Sequence, residues 1–252
     1  MRIAHLHDYA WQDRSQSGQP VDLKPEEERA ALLEALGTEA ADLLILRGLG
    51  SEASLQHLQE ALRAAGTPYP YAEYVPGPDA YEGIGFLSHQ PFSEARNLSQ
   101  EVFRIKERSY QPLAGGIRIS TPDFPRLWIW NQKAPPPGES YERRRNDARI
   151  LTQHLRPLLE SGAEILLSLH SREDMDSPML RMLEETGLQR LLIRDGRGDS
   201  WTHRDPDGIL YRQDQWIFVT PALHARLSGA EVMDSEAIRA AGPYRHQQLR
   251  LP

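Results

Sequence analysis

Apolar residues along the chain recur with two spacings, and the alternation between them outlines the fold. Short runs such as Asp42-Leu43-Leu44-Ile45-Leu46, Leu127-Trp128-Ile129-Trp130 and Ile165-Leu166-Leu167-Ser168-Leu169 have the length of buried strands. Between them, Leu32, Leu33 and Leu36, then Leu55, Leu58 and Leu62, then Ile150, Leu151, Leu155, Leu158 and Leu159 follow helical spacing. Further strands are predicted at 2–7, 83–88, 117–120 and 215–220, and the segment 244–251 can pair in a sheet with its last half. A helix starts at Pro25 with three glutamates in its first turn and is predicted to stop at Gly37; a second long one covers 141–161, with Pro157 expected to kink it or end a turn. The stretches 9–21 and 66–79 read as loops.

The most informative stretch is Ala163 to Leu188. A buried strand runs into the polar cluster His170-Ser171-Arg172-Glu173-Asp174. Asp176-Ser177-Pro178 then caps a helix whose apolar face is Met179, Leu180, Met182 and Leu183, and Gly187 ends it. No internal sequence repeat or long linker interrupts this layout, so the expectation is one domain over 1–252.

Composition narrows the possibilities only a little. With 39% hydrophobic and 26% charged residues the chain is an ordinary globular sequence, and the absence of cysteine excludes disulfides and thiolate metal sites. No apolar run nears the roughly 18 residues of a membrane span, so the expected setting is cytoplasmic, away from membranes. A net charge of -7 argues against extended nucleic acid as a partner. The densest basic run, Arg143-Arg144-Arg145 with Arg149, spreads around a helix as a solvated face.

Several motifs in order resemble the endonuclease/exonuclease/phosphatase superfamily. Ala41 to Gly48 is similar to A-D-I-I-x-L-Q-E, and Gly83 to Phe92 to G-x-A-I-L-S-R-Y-P-I. Leu127 to Lys133 is similar to a strand ending in H-L-K. Leu169 to Pro178 resembles G-D-F-N-D-x-x-x-S-P, Trp216 to Leu223 resembles D-Y-I-x-V-S-P-A-L read from its second residue, and Tyr244-Arg245-His246 stands for S-D-H. The resemblance implies an α+β fold, a four-layer α/β/β/α sandwich of two packed mixed β-sheets flanked by helices. It also implies a phosphoesterase or nuclease ancestry, with the site where strand-end loops converge.

The same alignment shows that the chemistry has changed. The family's principal magnesium ligand, a Glu, is Gly48; its Asn on the first strand is His7; its G-D-F-N positions for Asp and Asn hold His170 and Arg172; and its strand-end His is Asn131. Counting back from Pro221 puts Gln215 at the family's Asp, with Asp214 one residue out. Only His246 keeps its identity. Loss of one such group usually costs a factor of about 10² to 10⁴ in rate, so magnesium-dependent hydrolysis is not expected.

Two readings follow for the altered site. In one, Arg47, Arg172, Arg245 and Asn131 hold an anion, a phosphate-containing small molecule, without cleaving it: a binding or regulatory pseudoenzyme. In the other, His7, His170 and His246 converge and bind a transition metal such as Zn²⁺, with His170 and His246 as catalytic groups of a phosphate-ester hydrolase. The bland counterpart of each is open at this point: drifted histidines in a dead pocket, and arginines engaged in surface ion pairs.

Overall fold

The computed structural model describes residues 1–6, 25–39, 41–77, 83–136, 138–204, 208–240 and 245–252. These fall into two compact units, the first made of Met1–Pro91, Ile193–Gln213 and Leu227–Pro252, the second of Phe92–Leu192 and Asp214–Arg226.

Elements are numbered in chain order. The first unit holds β1 (Arg2–Leu6), α1 (Glu26–Glu39), β2 (Leu43–Leu49), α2 (Glu52–Ala64), β3 (Tyr71–Val75) and β4 (Gly83–Ser88). To the second belong β5 (Phe92–Asn97), β6 (Phe103–Ile105), β7 (Arg108–Tyr110), β8 (Leu113–Ile119), β9 (Leu127–Lys133), α3 (Tyr141–Glu160), β10 (Glu164–His170), α4 (Pro178–Glu184) and β11 (Gln189–Leu191). The chain then adds β12 (His203–Arg204) and β13 (Tyr211–Arg212) to the first unit, β14 (Gln215–Val219) and α5 (Pro221–Arg226) to the second, and β15 (Gly229–Met233), α6 (Glu236–Ala240) and β16 (His246–Arg250) to the first.

Each unit is built on one six-stranded mixed sheet with helices, as the fold class requires. The orders are β15-β16-β1-β2-β4-β3 and β5-β8-β9-β10-β14-β11. In both, one parallel pair sits in the middle and every other pairing is antiparallel. A helix joins the parallel strands in each case, α1 between β1 and β2 and α3 between β9 and β10, as a parallel crossover demands. The two units thus share a pairing pattern although their sequences show no repeat.

Strand alternation assigns the faces. In the second unit Trp128, Trp130, Ile165, Leu167, Leu169, Trp216 and Phe218 pack with Ile150, Leu151 and Leu155 of α3 and Leu180 and Leu183 of α4. The other face carries Ile117, Ile129, Leu166, Ile217 and Val219, all fully buried. In the first unit Ala4, Leu44, Leu46 and Leu87 pack under α1 and α2, while Ile3, Ile45, Ile84 and Phe86 are buried on the opposite face. Burying each such side chain contributes about 1.5–3 kcal/mol, so both faces of both sheets stabilise the chain.

Differences from the sequence expectations have local causes. Helix α1 runs through Gly37 to Glu39, where Thr38 Oγ1 donates to Glu34 O at 2.9 Å. Pro157 stands inside α3, which ends three residues later at Glu160. The 66–79 loop contains β3, an edge strand between Pro70 and Pro76. β5, at the other sheet's edge, is half-exposed and carries Ser, Glu and Arg, a pattern without a buried signal. Among the described residues no helix is long and apolar enough to cross a membrane.

Candidate functional site

The second unit concentrates polar side chains on the face turned away from α3. Register places Asn131 beside Ser168, and His170 beside Lys133 on one side and Gln215 on the other. Partners on neighbouring strands stand about 4.8 Å apart and residues two apart on a strand about 7 Å, so these side chains share one patch at the carboxyl ends of β9 and β10. Asn131, Ser168 and Gln215 are fully buried and His170 nearly so. The side-chain amide of Asn131 has no hydrogen-bond partner at either Nδ2 or Oδ1. Its neighbour on β8 is Gly115, which has no side chain to pair with it.

Gln215, and not Asp214, is the residue on the His170 face. Asp214 meets Ser171 instead, just past the end of β10. Its carbonyl accepts from Ser171 N at 2.8 Å, and its Oδ2 lies 3.7 Å from Arg172 Nε. Arg172 remains 45% exposed, so its guanidinium stands at the solvent rim of this strand end. The elbow that follows is held from several directions. Trp216 Nε1 donates to Ser171 O at 3.0 Å, Arg144 pairs with Glu173, and Ser177 Oγ donates to Glu173 Oε2 at 2.6 Å while accepting from Met179 N as the cap of α4. Arg144 therefore is not the solvated residue expected from the basic run, and Arg143 pairs with Glu139 and lies over the Tyr110 ring.

A second polar pair lies on the helix side of the same strands. Gln132 Nε2 donates to Asp147 Oδ2 at 2.8 Å, with both residues buried. Burial pushes the Asp147 carboxyl up to about 7, against the opposing pull of the Gln132 hydrogen bond and of Arg143. Sequence reading missed this pair, and Ser168 as well. The only signal was a polar residue within an apolar run for Ser168, and an acid on the apolar side of a helix for Asp147.

In the first unit Gly48 sits in a β-bulge of β2 with φ +73°, the left-handed region where glycine is favoured. Arg47 before it is buried. Alternation puts Arg47 on the face shared by Ile45 and Gln247, and His246 on the opposite face with Gln248 and Ala4. Arg245 corrects an expectation. Rather than presenting a free cation, its buried guanidinium donates to Asp195 Oδ2 at 2.5 Å and to Trp201 O at 3.3 Å, lies 3.9 Å from Asp234 Oδ1 and stacks 3.9 Å over the Trp201 ring. Burial by itself would raise the Asp195 pKa, but hydrogen bonds from Asp199 N, Arg245 and Arg197 N outweigh it and hold the carboxyl below the usual carboxylate range. Tyr69, assigned to loop packing, is buried, donates to Ala41 O at 2.8 Å and stacks on His89. His7 lies outside the described residues, and among those described no group of three or more His, Cys, Asp or Glu could hold a metal ion.

A hard magnesium ion asks for several oxygen ligands, usually with one or two carboxylates. The patch on the second unit offers two neutral amides, a hydroxyl and an imidazole; Asp214 is turned to Arg172, and residue 48 has no side chain. These residues do not fit a magnesium cage.

No protein-family model matches the sequence, and a search of curated proteins gives no match. Solved structures do match over the whole chain. One is a 3' phosphatase, NExo, from Neisseria bound to product DNA hairpin, at 15% identity and TM-score 0.69, covering 100% of this chain and 99% of that one. An endonuclease/exonuclease/phosphatase family protein from Leptotrichia buccalis gives 13% and 0.70, with 100% and 99% covered. The human Nocturnin catalytic domain with bound sulfate gives 12% and 0.69, with 99% and 93% covered. The fold is therefore that of the endonuclease/exonuclease/phosphatase proteins, as the motif order implied. At these identities the likeness speaks to the fold alone, and function rests on the site.

Proposed function

We propose that this chain binds a phosphate-containing small molecule on a phosphoesterase frame and does not hydrolyse it with magnesium. The observation that carries this reading is residue 48. By the motif resemblance the position of the family's principal metal ligand is a glycine, and its backbone at φ +73° disfavours any side chain there. In the second unit, the Arg172 guanidinium at the rim and His170 and Asn131 deeper on the strand ends supply donors suited to an oxyanion. Arg245 is left out of the proposed contacts because its buried guanidinium is held by Asp195, the Trp201 carbonyl and the Trp201 ring, whereas Arg172 has Asp214 at 3.7 Å and stays exposed.

The test combines turnover and binding on the purified protein. With Mg²⁺ and bis(4-nitrophenyl) phosphate, no hydrolysis above the buffer rate is expected. Inorganic phosphate and adenosine monophosphate are expected to raise the melting temperature, and His170→Ala and Arg172→Ala to abolish that rise. Magnesium-driven turnover that disappears in His170→Ala would overturn the proposal. So would failure of both anions to stabilise the wild type.

A further inference from the structure

Asn131 is a polar side chain in the second unit whose burial and pairing disagree. It is completely removed from solvent, and neither atom of its amide meets a hydrogen-bond partner. A buried amide left unpaired costs about 1–3 kcal/mol per group, and such groups in native proteins call for an explanation. Its strand neighbours are Ser168 and Gly115, and one row further towards the strand ends stand His170 and Gln215.

Resting on the anion-binding reading above, we infer that Asn131 selects an oxyanion that carries its own hydrogen: a phosphate monoester or hydrogen phosphate, and not a fully deprotonated anion such as sulfate. The amide has two kinds of need. Nδ2 is a donor and is satisfied by any anionic oxygen. Oδ1 is an acceptor, and it repels an oxygen that bears only lone pairs but accepts from an O–H. Phosphate monoesters have a second pKa of about 6, so near neutrality a fraction carries a proton; sulfate carries none. Gly115 contributes no side chain next to the amide. Arg172 supplies charge from the rim, common to both anions, while Asn131 tells them apart.

Isothermal titration of the purified chain with sodium phosphate and sodium sulfate, at pH 6 and pH 8, tests this. Phosphate is expected to bind at least about tenfold more tightly than sulfate at both pH values, because hydrogen phosphate keeps an O–H at pH 8 as well. Asn131→Leu, close in volume, should bring the two anions to equal affinity. Asn131→Asp keeps size and acceptor, removes the donors, and should retain phosphate binding at pH 6 while losing sulfate; it serves if the leucine variant fails to fold. Equal affinities for the two anions in the wild type, with both lost in Arg172→Ala, would overturn this inference and leave the anion reading standing. Unchanged discrimination in either folded Asn131 variant would also overturn it. Binding of neither anion by the wild type would remove both.

Discussion

Asp147 gives the sharpest quantitative expectation. It is a buried residue of α3 with one strong hydrogen bond, from Gln132, and burial moves its pKa from 3.8 to about 7. The native state therefore holds a proton on this carboxyl where the unfolded chain has released it. Its contribution to stability is fully present below about pH 4 and declines as pH rises through the window up to about 7, above which it is lost. A shift of that size corresponds to about 4 kcal/mol at about 1.4 kcal/mol per pH unit, with the low-dielectric surroundings making this an upper figure. Asp147→Asn keeps an oxygen to accept from Gln132 and removes the ionisation. At pH 8 the variant should be more stable by about 2–4 kcal/mol, and for a chain of this size each kcal/mol is worth about 2–4 °C. At pH 4 the two proteins should melt together. Thermal denaturation followed by circular dichroism from pH 4 to 8 measures the difference. A variant no more stable than wild type at pH 8, or a gap independent of pH, would refute the reasoning.

Two further substitutions test the frame. Gly48→Glu restores the family's ligand type but forces a left-handed backbone on a side chain, at about 1–2 kcal/mol; the expected result is a lower melting temperature and no magnesium-dependent hydrolysis, and activity gained without loss of stability would contradict it. Gly116→Ala would place a Cβ 2.5 Å from Trp130 Cδ2, against a fully buried indole whose ring centroid lies 5.8 Å from that of Trp128. Overpacking of this kind costs about 1–3 kcal/mol, and near-ultraviolet circular dichroism with melting should report both a changed tryptophan environment and reduced stability.

The departures from the family's motifs were readable without coordinates, because each is an identity at a motif position: Gly48, His170, Arg172, Asn131. What those side chains do was not. Arg245 and Asp195 are fifty residues apart, and only folding brings a guanidinium, a carboxylate and the Trp201 ring together. Arg172 and Arg245 look alike in sequence, yet one is nearly half exposed and the other sealed. The strands missed in sequence, such as β3 and β5, are sheet edges that bury little and so leave no hydrophobic pattern.

By itself the sequence determined the elements: where apolar residues recur at helical spacing, where Ser177 and Pro178 start a helix, and where buried runs form strands, since periodicity and capping act over a few residues. Tertiary structure decided the faces. Cross-strand register set Gln215 and not Asp214 beside His170, put His246 on the other face of its sheet from Arg47, and buried Asp147 against Gln132. A shift of one residue in pairing would reverse each of those faces, and no local preference specifies the register that the packed sheet imposes.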